Sequence, residues 1–595
     1  MAQLDRFWRN YLRRYAGWYL LGVICLVATN ALTVAIPGFV KEAIDALARG
    51  DGANEARDWA IAIVFAGLGI IVVRTLSRTL FFNPGRAVEF RVKNALFRHL
   101  LTLPRTFFDR LPAGEIISRG TNDTNAVRSL AGFATLQLFN VVLMLALTLG
   151  KMTTMDPVMT LYCALPLTGA LVVLRFAVRA MFSWTREAQS EIARLSGRIL
   201  ETYQSIGMLR AYGAIEASHR RFDVANDRLL EIGLALTRIR AWLLPIISVV
   251  GSLTIVLVLF VGGRRVIAGD LSIGDIAAFS VYIGILVNGL ISLGWMVNAM
   301  QRGWIALGRV DEVLDEPVVA HEGRLSLPPA RGQGPEISVR NLSFGYDAEA
   351  PVLDDISFDV ASGEVVGIFG LTGSGKSTLL SVLARVHEAP PGAVHMDGVD
   401  IAAAPVRAHW HRLAYVTQEP FLFSRSIRAN ITWALDTDEV DDSALQSVLN
   451  DACLTPDLAQ FPEGISTVVG ERGITLSGGQ RQRVALARAF FRDYDLLLLD
   501  DVLSAVDHAT EEQLVDAIYA RTAFEGGGRR TAVIVSHRLS VLSKADRVLV
   551  LEDGKMVDIA PHAELITRED GAYRRAWQLQ QAADRLAALE GGQGG

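Results

Sequence analysis

One short glycine-rich segment carries the clearest chemical signal in the chain. Gly370–Ser377 reads GLTGSGKS; it follows the apolar run Val365–Phe369 and precedes the helical pattern Thr378–Val386. Glycines in such a loop turn backbone N–H groups toward phosphate oxygens, and the N-terminus of the next helix adds its positive dipole end. Lys376 is placed to reach the outer phosphates, and Ser377 to offer a hydroxyl to Mg²⁺. The segment predicts a nucleoside triphosphate site.

A pair of acidic residues forms the second chemical signal. The apolar run Leu496–Leu499 is typical of a buried strand and ends in Asp500 and Asp501. Mg²⁺ prefers oxygen ligands beside phosphates, so an acid at the end of such a strand suits the metal. We predict ATP with Mg²⁺ as the cofactor, with Ser377 and Asp500 as metal ligands. The loop residues predicted to contact the nucleotide are Gly370, Thr372, Gly373, Ser374, Gly375, Lys376, Ser377 and Thr378.

These segments lie in a part of the chain that has an α/β pattern. From Glu336 onward short β-type runs alternate with helical runs, which favours a largely parallel sheet. Before it, prolines and glycines punctuate a polar stretch that reads as a linker over 317–335. We predict a nucleotide-binding cassette at 336–580 and a flexible Gly-rich tail at 581–595.

The residues before the linker have the composition of a membrane domain, predicted at 1–316. The 595-residue chain is 51% hydrophobic and 20% charged, with a mean hydropathy of +0.30, whereas average usage is about 25% charged. A bilayer-spanning helix needs about 20 apolar residues. Six uncharged stretches are candidates: Ala16–Val40, Trp59–Val73, Ala131–Gly150, Pro157–Leu174, Ala241–Gly263 and Ile276–Gln301. The formal net charge of −5 gives no reason to expect nucleic acid as a partner.

The second stretch is short, but it continues through Arg74 and Arg78 to Phe82. Three roles fit these two arginines: their side chains snorkel to the interface, pair within the helix bundle, or face an aqueous cavity. The three cysteines, Cys25, Cys163 and Cys453, have no metal-binding spacing and read as free thiols.

Arginines are concentrated on one side of the predicted spans. Four precede the first span, and the long connections after the second and fourth spans are rich in arginine, while the first short connection carries acids. The positive-inside rule therefore places both termini and the cassette in the cytoplasm of an inner-membrane protein, with Arg264 and Arg265 as the exception. Helical apolar spacing in the long connections predicts helices that project beyond the bilayer, with turns near Leu111–Gly114 and Tyr212–Glu216.

Taken together, the motifs resemble those of a half-transporter of the ATP-binding cassette (ABC) superfamily, and they occur in family order along essentially the whole chain. The resemblance implies that Tyr346 stacks on adenine and that Gln418 senses the γ-phosphate and contacts the metal. It also implies that His537 is the switch histidine, so that Asp501, His537 and Gln418 form the catalytic set.

The family signature LSGGQ is also present. Its residues Ser477, Gly478, Gly479 and Gln480 stand before a helix and suit a second anion site. One subunit cannot fold this site over its own ATP, so it is expected to cap the ATP of a partner. The resemblance further matches Ser504–Asp507 to the loop that crosses the dimer interface, and Gly470–Gly473, with Glu471, to the segment that contacts the cytoplasmic loops of exporters.

One position departs from the family pattern. Most catalytic cassettes have glutamate after the metal-binding aspartate, and this chain has Asp501. The carboxylate is one methylene shorter and reaches about 1.5 Å less, and small misplacements of a general base cost large factors in rate. The resemblance to MdlA-like multidrug half-transporters, together with this change, favours the weakly hydrolysing half of a heterodimer. A homodimer with two slow sites is the competing hypothesis.

The predicted architecture is a six-helix, all-α membrane domain of the type IV ABC exporter fold, joined to an α/β P-loop NTPase cassette. The predicted function is ATP-driven export of an amphipathic or hydrophobic compound by alternating access, with a second half-transporter, the bilayer and a small substrate as partners. The alternatives are a homodimeric exporter or lipid flippase, and an ATP-gated channel or regulator. Six uncharged spans exclude a soluble DNA-repair or translation cassette, and an importer usually keeps its membrane and ATPase subunits on separate chains.

Overall fold

The computed structural model describes residues 2–50, 52–318, 326–328, 333–346, 350–434, 440–470, 473, 476–504, 506, 508–524 and 527–591. The chain divides into two compact units. The first contains the residues up to Leu101 together with Ala113–Glu316. The second contains Thr102–Pro112 together with the chain from Pro317 onward.

Long helices make up the first unit. The helices from the N-terminus to the end of this unit, including α4 of the second unit, are α1 (Ala2–Phe7), α2 (Ala16–Ala48), α3 (Ala53–Leu100), α4 (Arg105–Arg110), α5 (Ala113–Ser118), α6 (Thr124–Ser129), α7 (Thr135–Met155), α8 (Pro157–Gln204), α9 (Ile206–Ala211), α10 (Ile215–Leu257), α11 (Gly263–Ile267) and α12 (Ile273–Leu314). Turns of π-helix cover Trp8–Leu12, Arg119–Asp123, Leu130–Ala134 and Val258–Gly262, and a 3₁₀ turn covers Arg13–Tyr15.

In the described part of the chain, six helical stretches are long and apolar enough to cross a membrane. They are Asp5–Ala48, Ala53–Leu100, Ala113–Met155, Pro157–Gln204, Ser248–Ile267 and Ile273–Leu314. Each overlaps one of the six stretches predicted from the sequence, so the six-helix membrane domain is confirmed.

Two of the helices are much longer than a bilayer requires. α3 and α8 have 48 residues each, which at 1.5 Å per residue is about 72 Å, against a hydrocarbon core of about 30 Å. The predicted helices in the long connections are therefore present. The predicted turns fall where α4 ends at Arg110 and α5 begins at Ala113, and where α9 ends at Ala211 and α10 begins at Ile215.

The packing of α12 shows how the first unit buries polar groups between apolar helices. Ser272 caps α12, because its hydroxyl accepts from the N–H of Asp275 while the Asp275 carboxylate accepts from the N–H of Ser272. Further along, Tyr282 is fully buried and donates to the carbonyl of Val34 at 2.9 Å. A buried hydroxyl with a partner avoids the cost of an unsatisfied polar group, so α2 and α12 are held together by both apolar and polar contacts.

Two sheets form the cassette in its described part. The strands are β1 (Ile337–Phe344), β2 (Leu353–Val360), β3 (Val365–Gly370), β4 (Val394–Met396), β5 (Val399–Asp400), β6 (Leu413–Val416), β7 (Leu496–Asp500), β8 (Thr531–Val535), β9 (Arg547–Glu552) and β10 (Lys555–Ala560). An antiparallel sheet has the order β2-β1-β4-β5. A six-stranded sheet has the order β10-β9-β3-β8-β7-β6 and is parallel except for β10.

Apolar cores lie on both faces of the six-stranded sheet. The helices of the described cassette are α13 (Lys376–Leu383), α14 (Val406–Arg412), α15 (Ile427–Ile431), α16 (Asp442–Asp451), α17 (Thr455–Leu458), α18 (Gly478–Phe491), α19 (His508–Ala520), α20 (Leu539–Leu542), α21 (His562–Leu565) and α22 (Ala572–Gly591). In β7, Leu497 and Leu499 belong to one apolar core while Leu496 and Leu498 belong to the other. A strand buried on both faces needs a continuous apolar run, which explains the sequence Leu496–Leu499.

The C-terminal boundary differs from the prediction. The segment 581–591, predicted as part of a flexible Gly-rich tail, belongs to α22. Its alanine, leucine, arginine and glutamate residues are strong helix formers and outweigh the glycines that follow. Much of the predicted linker, at 319–325 and 329–332, lies outside the described residues, as does 592–595.

Candidate functional site

Four neighbouring parallel strands bring the predicted site segments to one edge of the six-stranded sheet. β3 ends in the phosphate loop, β7 ends at Asp500, β8 precedes His537, and β6 precedes Gln418. The order β3-β8-β7-β6 makes these strands adjacent. Ligands of open α/β sheets bind beyond the carboxyl ends of the strands, so the topology brings four distant parts of the sequence together.

Glycine is required at three positions of the phosphate loop. Gly373 and Gly375 have φ angles of +87° and +95°, in the left-handed region that disfavours other residues. A Cβ atom at Gly370 would lie 2.4 Å from the Ser374 hydroxyl and 2.6 Å from the Leu551 carbonyl oxygen. The loop thus curls tightly into α13, whose first residue is Lys376, and directs a helix N-terminus at its own opening.

Lys376 lies inside this curl. Its Nζ donates to the carbonyls of Gly370 and Leu371 at 2.7 and 2.8 Å, and the side chain is 6% exposed. Burial lowers the pKa of Lys376, while the carboxylates of Asp501 and Asp500 act in the opposite direction. In a nucleotide site, this ammonium would contact phosphate oxygens in place of the loop carbonyls.

Ser377 and Asp500 form the candidate metal site. The Ser377 hydroxyl donates to Asp500 Oδ1 at 3.0 Å, so a hydroxyl and a carboxylate oxygen lie side by side at the mouth of the loop. Burial raises the pKa of Asp500, aided by Asp501, while the hydrogen bond from Ser377 lowers it. A divalent cation would relieve this burial cost. Mg²⁺ usually takes only one or two protein ligands and completes its shell with phosphates and water, so the two residues fit it.

Asp501 has an unusual backbone conformation. Its φ of +49° is left-handed, a conformation that aspartate and asparagine tolerate better than most side chains. Its N–H donates to the carbonyl of Val535 at 3.0 Å, and its Oδ1 accepts from the backbone N–H of His537 at 3.4 Å. The side chain is 5% exposed. The carboxylate is therefore held against the segment that carries the predicted switch histidine, a contact that the sequence did not indicate.

Gln418 and His537 have exposed side chains at the same sheet edge. Gln482 of α18, which sequence reasoning missed, connects the surrounding segments: its Nε2 donates to the backbone carbonyl of Gln418 at 3.4 Å and to the Ser504 hydroxyl at 3.0 Å. Ser504 in turn donates to the carbonyl of Asp501. The available signal was the position of Gln482 two residues after the signature.

Tyr346 is placed by three neighbours. Its hydroxyl lies 3.1 Å from the Thr378 hydroxyl, just after the phosphate loop. Phe344 and His387 contact the ring edge-on, with centroids at 5.6 and 5.2 Å and interplanar angles of 84° and 82°. The residue is 56% exposed. These contacts fix the ring while leaving surface for stacking, and Phe344 and His387 were not predicted from the sequence.

The signature segment is preorganised by its own capping box. The Ser477 hydroxyl accepts from the N–H of Gln480, and the Gln480 side chain accepts from the N–H of Ser477. Asp457 anchors the segment, since Gln480 Nε2 donates to it at 3.0 Å and Arg483 pairs with it at 2.9 Å. α18 packs beside β6, three strands from β3, or about 14 Å at normal strand spacing.

Parts of two predicted segments cannot be placed. Glu471 and Arg472 of the segment Gly470–Gly473 lie outside the described residues, as do Ala505 and Asp507 of the segment Ser504–Asp507. In the first unit, Arg74 and Arg78 are exposed on α3, so pairing within the helix bundle of a single chain is not their role.

Comparisons with known proteins match both the helical region and the cassette. The family model "ABC transporter transmembrane region" matches residues 19–290, and the model "ABC transporter" matches residues 353–504. The "Probable multidrug resistance ABC transporter ATP-binding/permease protein YheI" of Bacillus subtilis is 30% identical over 100% of this chain and 99% of its own. The "Multidrug resistance-like ATP-binding protein MdlA" of Escherichia coli is 30% identical over 98% and 96%.

A third relative is named for a different cargo. An "ATP-dependent lipid A-core flippase" of Burkholderia orbicola is 29% identical over 98% of this chain and 96% of its own. Among solved structures, a bacterial Atm1-family ABC exporter with ATP bound has a TM-score of 0.81 at 24% identity, over 96% of this chain and 99% of that one. The likeness in structure supports a common fold.

Proposed function

Because the chain belongs to the ATP-binding cassette transporter family, we propose that it is one subunit of an exporter that moves an amphipathic or hydrophobic compound out of the cytoplasm. The observation that carries the proposal is that one chain joins six candidate spans to a cassette in which the phosphate loop, Asp500, Gln418 and His537 lie at one sheet edge. Some relatives are named for multidrug resistance and another for lipid A-core flipping, which supports an amphipathic or hydrophobic compound as the class of substrate.

The mechanism we propose is alternating access. ATP, when bound, would supply binding free energy and, on hydrolysis, the reset. The chain's own residues would hold it: Tyr346 would stack on the base, Lys376 would contact the outer phosphates, and Ser377 with Asp500 would hold Mg²⁺. The long helices would transmit the closure of two cassettes to the spans. ATP shifts the equilibrium between the two states of the transporter only if it binds them with different affinities.

We further propose that this chain's own ATP site hydrolyses slowly. Asp501 is shorter than the family's glutamate and is tied by its carboxylate to the N–H of His537. Such a carboxylate stabilises the switch segment and lies short of the water that a general base must contact within about 3 Å. The site is suited to hold ATP, with Gln418 and His537 as the remaining groups near the γ-phosphate.

The signature segment supports a partner with a different site. Ser477–Gln480 is intact and capped, and the helix that it begins packs beside β6, which is about 14 Å from β3 at normal strand spacing. The segment is therefore suited to close over the ATP of a second cassette. We propose that the partner is a different half-transporter whose catalytic residue is glutamate. The competing hypothesis is a homodimer with two slow sites, and the ATPase measurements below distinguish it from the heterodimer.

Transport into sealed vesicles tests the function itself. Inside-out vesicles that contain this chain and its partner should accumulate a fluorescent amphipathic dye against its gradient when Mg-ATP is added. Vesicles that carry Lys376→Ala in this chain and the equivalent change in the partner's phosphate loop should not. A channel on the same fold equilibrates solute but cannot concentrate it. Equilibration without accumulation would contradict the exporter proposal.

We also propose that both termini and the cassette are cytoplasmic. In a Cys453→Ser background, cysteine replaces Asp58, which is exposed near the start of α3, or Gly114, where an added Cβ meets nothing within 4 Å. The natural Cys25 and Cys163 are buried. A membrane-impermeant maleimide added to intact cells should label the first variant and spare the second. Labelling of both from outside would overturn this orientation.

A further inference from the structure

Four arginines lie before Ala16, where α2 begins, and the structure divides them into two kinds. Arg6 forms an ion pair with Asp315, and Arg9 forms one with Asp5. Arg13 and Arg14 are exposed in the 3₁₀ turn Arg13–Tyr15, and no carboxylate in the described part of the chain lies within ion-pair distance of either. The turn thus presents two guanidinium groups whose charge is not balanced by the protein.

A third arginine joins them from the neighbouring helix. Arg91 of α3 lies over the ring of Tyr15, with its Cζ 5.4 Å from the ring centroid, and it also forms no ion pair with a described carboxylate. Tyr15 packs against two apolar clusters, one of which contains Phe7 and the other Tyr19 and Phe81. We call Arg13, Arg14, Tyr15 and Arg91 the turn site. It is built from two elements and is anchored by a half-buried aromatic ring.

The turn site lies at the boundary of the membrane. Trp8 and Trp18 flank it in sequence and are 45% and 48% exposed, as expected of tryptophans at the headgroup level. Leu21, one turn beyond Trp18 on the same face of α2, is 49% exposed and marks the side that faces lipid. Arg14 precedes Trp18 by four residues in the turn that leads into α2, so its exposed side chain is suited to the headgroup level beside this tryptophan.

We propose that the turn site binds the phosphate-bearing headgroup of an anionic phospholipid, in the leaflet where the first span begins. Arginine matches phosphate oxygens with paired N–H donors, and the Tyr15 hydroxyl offers one more donor at the same place. Anionic lipid is the occupant that fits, because lipid acyl chains would lie along Trp18 and Leu21 while the headgroup meets the three arginines. The proposal of a lipid site rests on the chain's membership of the transporter family. It does not depend on the direction of transport or on the substrate.

The test uses the purified full-length chain and measures how many phosphatidylglycerol and phosphatidylcholine molecules remain bound, by native mass spectrometry after titration from mixed micelles. Each basic residue near a membrane surface contributes about five-fold in affinity for anionic lipid. The wild-type chain should therefore prefer its first phosphatidylglycerol by about ten-fold or more. On a logarithmic scale, the double variant Arg13→Gln/Arg14→Gln should lose about two thirds of the preference, and Arg91→Gln about one third.

A matched control separates this site from general positive charge. Arg220 and Arg221 are a second exposed, adjacent arginine pair, and they lie outside the six candidate spans. Arg220→Gln/Arg221→Gln removes the same charge and should leave the lipid preference unchanged. Arg13→Lys/Arg14→Lys keeps the charge but loses the paired donors, and it should give an intermediate preference.

Two outcomes would overturn the proposal. One is equal retention of the two lipids by the wild-type chain. The other is a loss of preference in the Arg220→Gln/Arg221→Gln variant as large as in the turn-site variant. Inorganic phosphate at millimolar concentration should not displace the lipid, and displacement would show a soluble-anion site instead. Unchanged ATP binding and a single gel-filtration peak verify that each variant is folded.

Discussion

Two ends of the same cassette are built differently. At the phosphate loop, charged side chains contact neutral polar groups. Lys376 donates to loop carbonyls, Asp500 accepts from the Ser377 hydroxyl, and Asp501 accepts from the N–H of His537. At the signature, Ser477 and Gln480 satisfy each other, and the segment presents a capped helix N-terminus outward. The first end is a nearly complete binding site within one chain, while the second is half of a site. We infer that in a dimer the chain holds ATP at its own phosphate loop and contributes its signature segment to the ATP site of its partner.

The largest effect is expected at the signature. Gly478→Asp would place a carboxylate against the γ-phosphate held by the partner, and an uncompensated charge in a water-excluded site costs about 3–5 kcal/mol, or more than about 100-fold in turnover. ATPase of the complex with its partner should fall to near background. Gly478→Ala, which adds volume without charge, and Gln446→Glu, which adds charge on the exposed face of α16, are the controls. Near-normal turnover in the aspartate variant would remove the signature from the active site.

A smaller effect is expected at the phosphate loop. Lys376→Ala removes a charged hydrogen-bond donor worth about 1.5–3 kcal/mol, so ATP affinity at this chain's own site should fall about 10- to 100-fold. Photo-cross-linking of an azido-ATP to each subunit separately measures this. Lys544→Ala, a change at an exposed lysine paired with Asp516, serves as the surface control. Undiminished labelling of this chain would contradict the role assigned to Lys376.

The signature and the phosphate loop were predictable from sequence because each is a contiguous run whose chemistry follows from local geometry. The positive φ of Gly373 and Gly375 and the capping role of Ser477 are of this kind. The clustering of Phe344 and His387 around Tyr346, and the bridge from Gln482 to Ser504, were not predictable. They join residues far apart in sequence, and their partners are set by strand order and packing.

The end of the chain gives the opposite lesson. Glycines near the C-terminus predicted a tail from 581, yet α22 continues to Gly591. Composition misled there because the four glycines at the end suggested a flexible tail, while nine of the ten residues 581–590 favour a helix. The membrane half was predictable in its number of spans, since apolar length is a local property, while the contact of Tyr282 with Val34 depended on how α2 and α12 pack.

The smallest effects are expected at Asp501, where they test whether this chain's own site contributes to hydrolysis. Asp501→Asn keeps an acceptor for the His537 N–H and tolerates the left-handed φ of +49°, so ATPase of the complex should change less than about three-fold, within a single weak hydrogen bond. Asp501→Ala, which loses the acceptor, should weaken ATP binding at this site more than Asn does. Asp501→Glu restores the family's longer carboxylate and should raise hydrolysis at this site.

We propose above that this chain's own site binds ATP and hydrolyses it poorly. The ATPase rate of the purified chain without its partner, at high concentration in nanodiscs, tests this, beside the same preparation carrying Asp501→Asn. We expect a rate near background for both and a large rise only when a glutamate-bearing partner is added to the wild-type chain. A brisk rate from the single chain that Asp501→Asn abolishes would show instead that Asp501 is a working general base.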